Sequence, residues 1–224
     1  RSDVWAALLP HMPMTAMIRT LAKMTAVGLL QPLGDAARFV MAKLMDRNGL
    51  KRSRVHPIAL LSALKVYAQG HGERGKLAWS PVSQVTDALD EAFYLAFDAI
   101  EPTGKRWLVA IDVSGSMDAG HIAGIAGMTP RMVAAAMAMV TVRVEKQSHV
   151  VGFTAASGGY GGQWGGGTPG LTRIDITPTM RLDQVVRAMS ALPMGGTDCA
   201  QPMLHATKER LAVDAFATYT DNET

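Results

Sequence analysis

Five consecutive apolar residues, Trp107-Leu108-Val109-Ala110-Ile111, run directly into Asp112-Val113-Ser114-Gly115-Ser116. An unbroken apolar run of this length reads as a strand covered on both faces in a parallel sheet. That constrains the chain more than any other segment, because parallel neighbours need long crossover connections. The downstream pattern supplies them. Thr129-Pro130 opens a helix reaching about Lys146, and Val150-Val151-Gly152-Phe153 and Leu171 to Ile176 read as strands. Helices follow near residues 181–190 and 199–210, and a last strand runs from Val213 to Tyr219. Strands alternating with helices predict a doubly wound α/β domain over residues 107–224.

Upstream the period changes. Pro13 suits a first helical position, and Met14, Met17, Ile18, Leu21 and Met24 fall on one helical face. A second helix is expected from Asp35 to just before Asn48-Gly49, and a third from Pro57 to before Gly70, burying Ile58, Leu61 and Leu64. A fourth starts after Ser80-Pro81 and runs towards Phe97. Residues 1–100 therefore read as an array of helical hairpins, residues 101–106 (Glu101-Pro102-Thr103-Gly104 and the two basic residues after it) as a linker, and the whole as α plus α/β. No clean internal repeat is visible, so a solenoid is permitted without being demanded.

Composition excludes several classes. With 48% hydrophobic and 18% charged residues the chain can build a core. The longest strongly apolar run, Met132 to Val142, is about half of the roughly 20 residues a membrane-spanning helix needs. The single cysteine, Cys199, cannot form an internal disulfide, and Arg1-Ser2-Asp3 does not begin a signal peptide. A soluble cytoplasmic protein is the expectation, and the lack of an initiator Met suggests an internal piece of a longer one. The formal charge of +3 conceals a gradient. Residues 1–80 carry 12 Lys/Arg against 4 Asp/Glu, a net of +8, whereas residues 107–224 carry 8 against 10. A basic helical half suits an anion, nucleic acid first among them, although an ordinary solvated face explains charge alone slightly better.

The chemistry concentrates after the first strand. In a doubly wound sheet, ligands bind beyond the carboxyl ends of the strands. Asp112, Ser114 and Ser116 offer a carboxylate and two hydroxyls at alternating positions there; Thr197, in the turn Gly195-Gly196-Thr197-Asp198, and Asp221, after the last strand, can complete the set. Hard oxygen ligands suit Mg²⁺, and no His or Cys cluster has zinc-like spacing. A plain capping and turn cluster is the competing reading of Asp-x-Ser-x-Ser. Asp118 and Asp198 read as caps or outer groups, and Asn222 and Glu223 as solvent-exposed by default, with shaping of the last loop as the other reading. A phosphate loop fails because His121 stands where Lys is needed, and a Gly-x-Ser-x-Gly nucleophile frame is absent. Gly165-x-Gly167-x-x-Gly170 lies before a strand within a loop holding eight glycines over residues 158–170, so its context rejects a dinucleotide site. Cys199, Trp79 and Trp107 read as packing residues.

Asp112-x-Ser114-x-Ser116 with Thr197 and Asp221 resembles the metal-ion-dependent adhesion site (MIDAS) of von Willebrand factor A domains. The surrounding wording is narrower. Glu101-Pro102-Thr103-Gly104-Lys105-Arg106, Pro193-Met194-Gly195-Gly196-Thr197-Asp198-Cys199, Thr220-Asp221-Asn222-Glu223-Thr224, Val55-His56-Pro57 and Gly70-His71-Gly72-Glu73-Arg74-Gly75-Lys76 resemble the Ro autoantigen family of TROVE-domain proteins. The resemblance implies HEAT-like helical repeats forming a ring, followed by a von Willebrand A (Rossmann-like) domain, here truncated at both ends. It implies a non-enzymatic ribonucleoprotein component that binds small non-coding Y RNAs and single-stranded ends of misfolded RNA in RNA quality control. Arg19, Lys23, Lys51, Arg52, Arg54, Lys65, His71, Arg74 and Lys76 form the pool expected to contain the RNA contacts. A divalent cation with an open position can also accept a carboxylate from a protein partner, so an adhesion module is the alternative. A metal-dependent hydrolase ranks lower, because no general base stands beside the constellation. Against the family pattern, residues 158–170 look longer and His121 to Met128 looks inserted.

Overall fold

In the computed structural model the described residues are 1–73, 75–120, 122, 127–154, 170–192 and 195–221. They divide into two compact units, the first built on Arg1–Glu101 and the second on Pro102–Ile122 and Met128–Thr224. The glycine-rich stretch up to residue 169, most of the expected insertion, Arg74, Asn222 and Glu223 lie outside the described residues.

The first unit is helical: α1 (Ser2–Leu8), α2 (Met14–Ala26), α3 (Asp35–Leu44), α4 (Arg47–Ser53), α5 (Pro57–Ala68) and α6 (Ser83–Leu95). Pro13 sits just before α2 with extended backbone, one residue earlier than a first-turn proline. All five residues of the predicted α2 stripe are buried. The second helix differs from expectation. It ends at Leu44, and Asn48-Gly49 lies inside α4, where Leu50 is buried. The break falls at Met45-Asp46 because a new helix starts there and turns Leu50 into the core. In α5 the buried side chains are Pro57, Leu60, Leu61 and Tyr67, while Ile58 and Leu64 are only half-buried. This helix is apolar nearly all round, so spacing alone does not mark its inner face. Tyr67 ties three segments together. Its hydroxyl lies 2.9 Å from Thr25 Oγ1 and accepts the Val82 N–H at 3.1 Å, and its carbonyl accepts the Trp79 indole N–H at 2.8 Å.

The second unit is a mixed sheet of β1 (Arg106–Asp112), β2 (Gln147–Phe153), β3 (Leu171–Arg173) and β4 (Ala215–Tyr219), in the order β3-β2-β1-β4. β1 pairs parallel with both β2 and β4. β3 is a correction: it is three residues long rather than six, and it runs antiparallel to β2. An antiparallel edge strand on a parallel sheet is common, and local sequence does not encode pairing direction. The helices are α7 (Pro130–Val144), α8 (Leu182–Ser190) and α9 (Gln201–Lys208). The Thr129 hydroxyl caps α7 by accepting the Met132 N–H at 3.3 Å. Leu108 and Ala110 of β1 pack with Val151, Phe153 and Ala206 of α9. The connection from β1 through α7 leads outward to β2, whereas the one ending in β4 returns to the other side of β1. Connections that leave β1 in opposite directions make a switch point between β1 and β4.

Glu145, just past α7, anchors the approach to β1. Its carboxylate accepts the Thr103 N–H at 2.7 Å, the Thr103 hydroxyl at 2.8 Å and the Gly104 N–H at 3.1 Å. Burial works to raise its pKa, but these hydrogen bonds outweigh it and hold the group below the ordinary glutamate value. A lowered folded pKa contributes stability above the unfolded value, and that stability is lost as pH falls through the folded one. Glu145→Gln should cost about 1 kcal/mol near neutrality. Thermal melts from about pH 6 down to about pH 3 should show the wild type losing its advantage over the variant. A difference that does not change with pH would contradict this account.

Candidate metal and nucleic-acid sites

The turn after β1 begins with Asp112, which is fully buried. Its carboxylate bends the chain by accepting the Ser114 N–H on Oδ1 at 2.7 Å, a local Asx-type turn. Its other oxygen, Oδ2, accepts the Thr197 hydroxyl at 3.1 Å and the Thr220 hydroxyl at 2.9 Å. A short 3₁₀ segment, Gly115–Asp118, carries the chain on. It leaves Ser114 Oγ and Ser116 Oγ 2.9 Å apart, and Ser116 donates to Asp221 Oδ1 at 3.1 Å. All five predicted ligand residues are thus brought together from three loops, at the carboxyl ends of β1 and β4. Asp112 and Ser114 form the buried floor, and Ser116 and Asp221 are exposed at the rim.

The floor depends on close packing beside β1. A Cβ on Gly152 would stand 2.6 Å from Leu192 Cδ1 and 2.9 Å from Val113 Cγ1. Glycine there lets Val113, the residue between Asp112 and Ser114, sit against β2.

The donor set is two carboxylates and hydroxyl oxygens, with no nitrogen or sulfur. Such a set fits a hard divalent cation such as Mg²⁺, which takes few carboxylates and keeps open positions for water. Among the described residues no group of three or more His, Cys, Asp or Glu could hold a metal, so hydroxyls carry most of this donor set. No histidine is hydrogen-bonded to these oxygens among the described residues.

Sequence reasoning missed two residues. Thr220 shares Asp112 Oδ2 with Thr197; its only signal was its place beside Asp221 at a strand end. Arg131, in the first turn of α7, is 1% exposed. It donates from Nε to Asp118 Oδ1 at 2.6 Å and from Nη2 to Ser114 O at 3.2 Å. Asp118 therefore braces the loop through Arg131. Asp198 accepts the Ala200 N–H at 3.0 Å and the Gln201 side-chain amide at 2.6 Å, and these bonds hold its pKa below the usual aspartate value. It secures the start of α9.

In the helical unit, Arg19 and Lys23 lie on the exposed face of α2, Lys51 and Arg52 in α4, Arg54 at its end, and His71 and Lys76 in the loop after α5; all are exposed. Lys65, in α5, is half-buried, and Arg74 is outside the described residues. Arg52 lies 3.7 Å from Asp46. Among the described residues the other cations of this pool have no carboxylate partner. Arg19 also lines a cleft of about 430 Å³ with Ile18, His56, Ile58, Ala59 and Ser62. Burial lowers the pKa of His56, whose Nδ1 accepts the Ile58 N–H at 3.2 Å, so this ring favours the neutral form.

Residues 106–224 match the family model described as the Ro60 vWA domain, and residues 1–66 match the TROVE domain. The chain belongs to the Ro family. This Ro chain is 42% identical over 224 residues to "RNA-binding protein RO60" of Deinococcus radiodurans, and 40% identical to the protein of the same name from Caenorhabditis elegans. The matches cover 100% and 99% of this chain but only 40% and 32% of those proteins. The crystal structure of the D. radiodurans RO (RSR) protein matches with a TM-score of 0.87 at 42% identity, covering 100% of this Ro chain and 42% of that one. The Ro chain thus spans two fifths or less of its curated relatives. Among its described residues no helix is long and apolar enough to cross a membrane.

Proposed function

We propose that this chain is an RNA-binding part of a Ro-type ribonucleoprotein without enzymatic activity. It binds small structured non-coding RNA of the Y type and single-stranded ends of misfolded RNA, as a cytoplasmic component of RNA quality control. The observation that supports this most is the set of exposed cations on the helical unit without carboxylate partners among the described residues, in a chain whose relatives are named RNA-binding proteins. Cations already held in surface ion pairs would have to break them to meet phosphate; these do not. Binding through them releases counterions and weakens with salt.

In this proposal Asp112, Ser114, Ser116, Thr197 and Asp221 hold a divalent cation, Mg²⁺ by the chemistry of the donors. The bound ion would supply positive charge that accepts an oxygen ligand at an open position. The chain's own work is to present those oxygens: the Asp112 carboxylate is oriented by the Ser114 N–H and two threonine hydroxyls, and the serine hydroxyls are held against each other. The exposed rim at Ser116 and Asp221 favours a second reading, in which a partner protein offers a carboxylate to that ion.

The two sites separate in one experiment. Binding to a structured RNA with a single-stranded 3′ tail is measured by fluorescence anisotropy, with Mg²⁺ and then with excess EDTA. Saturable binding under both conditions is expected. Binding lost in EDTA would move RNA recognition to the oxygen cluster.

A further inference from the structure

Arg131 has an arrangement that packing alone does not require. Its side chain is almost completely buried, and it is the one buried cation among the described residues; the other buried polar residues of its unit are Asp112, Ser114, Glu145 and Thr154. Its guanidinium reaches the loop after β1 at two points, Ser114 O and Asp118 Oδ1, on either side of Ser116. Its remaining nitrogen, Nη1, is buried without a hydrogen-bond partner among the described residues. Burying a cation with one nitrogen unsatisfied is costly, and an apolar side chain of similar length would fill the space without that cost. Coulomb's law adds to the puzzle, since a positive charge so close to a cation site opposes occupancy. Asp118 offsets part of that charge.

We propose that Arg131 is a positioning residue for the oxygen cluster, raising its affinity for a divalent cation by fixing the curvature of the loop that carries Ser114 and Ser116. The inference rests on the metal-binding reading above. The planar guanidinium donates in two fixed directions. One direction holds the backbone of Ser114, and the other holds the far end of the turn at Asp118. Between them the turn has one conformation, with the two serine hydroxyls 2.9 Å apart and Ser116 directed at Asp221. Without the fork the turn samples others, and the hydroxyls must be ordered when the ion arrives.

The test turns on the sign of the effect. Mn²⁺ binding to the full chain is followed by electron paramagnetic resonance for the wild type, Arg131→Met, Arg131→Lys and Val185→Ala. The last removes a fully buried side chain of α8, so it destabilises the same unit away from the loop. Removing the Arg131 charge should tighten binding if electrostatics alone were at work. Positioning predicts the opposite, a loss of about tenfold or more in Arg131→Met, as for other outer supports of metal sites. Arg131→Lys keeps the charge but cannot span both acceptors, so it should also bind more weakly; Val185→Ala should bind as the wild type does. Arg131→Met that is folded and binds as tightly as the wild type, or tighter, overturns the proposal. If Arg131→Met does not fold, Arg131→Lys decides, and unchanged affinity there overturns it. A wild type that shows no saturable Mn²⁺ binding refutes the metal reading itself, a result distinguishable from an unaltered variant.

Discussion

Asp112→Ala is expected to abolish divalent-cation binding and leave RNA affinity unchanged. The Asp112 carboxylate is fully buried and accepts three hydrogen bonds, from the Ser114 amide and the Thr197 and Thr220 hydroxyls. Its removal takes away one of only two negative charges among the five proposed ligands. It also frees two hydroxyls whose orientation it sets. An affinity loss of at least about a hundredfold is expected, larger than that for an outer support. Isothermal titration with Mg²⁺ measures it directly. A melting curve measures it by linkage: Mg²⁺ at about 100 times the wild-type dissociation constant should stabilise the wild type by about 2.7 kcal/mol and the variant by no more than about 0.4 kcal/mol. Asp112→Asn separates charge from shape, because it keeps an acceptor oxygen in place while removing the charge. Equal stabilisation of wild type and Asp112→Ala by Mg²⁺ would show that the cluster is only a turn.

The complementary change lies in the helical unit. Arg19→Ala, Lys23→Ala, Lys51→Ala and Lys76→Ala together remove four exposed cations that have no carboxylate partner among the described residues. Surface changes of this kind shift stability by no more than about 0.5 kcal/mol each, so the variant should fold. RNA affinity should fall by roughly tenfold to a hundredfold, and the slope of log affinity against log salt should flatten by about one for each phosphate no longer neutralised. Replacing Arg173 and Arg187 of the second unit is the control; both are engaged with neighbouring aspartates, Asp175 and Asp183. Loss of binding in the control rather than in the quadruple variant would place RNA recognition on the wrong unit for this account.

Some features of this chain are legible in its sequence and others are not, for physical reasons. The α2 stripe was legible because its apolar residues alternate with polar ones at helical spacing, and α7 was legible because Thr129-Pro130 marks its start. The inner face of α5 was not, because nearly every residue in it is apolar and three-dimensional neighbours choose which are covered. The break between α3 and α4 was misplaced at Asn48-Gly49 because glycine reads as a stop, whereas burial of Leu50 holds that segment helical. The direction and length of β3 were hidden because pairing is decided by the partner strand. The oxygen cluster was legible from alternation: Asp112, Ser114 and Ser116 follow a strand whose carboxyl end lies at a switch point. Thr220 and Arg131 were not, since a lone threonine and a lone arginine carry no spacing signal, and only their hydrogen bonds reveal what they do.

The central claim is that the basic helical unit binds RNA by neutralising its phosphates. A salt titration tests it most directly: affinity for a structured RNA with a single-stranded 3′ tail, measured from about 50 mM to about 200 mM monovalent salt. The account predicts that log affinity falls linearly with log salt, with a slope reflecting several neutralised phosphates. An affinity that stays flat across that range, or no binding at its low-salt end, would contradict it.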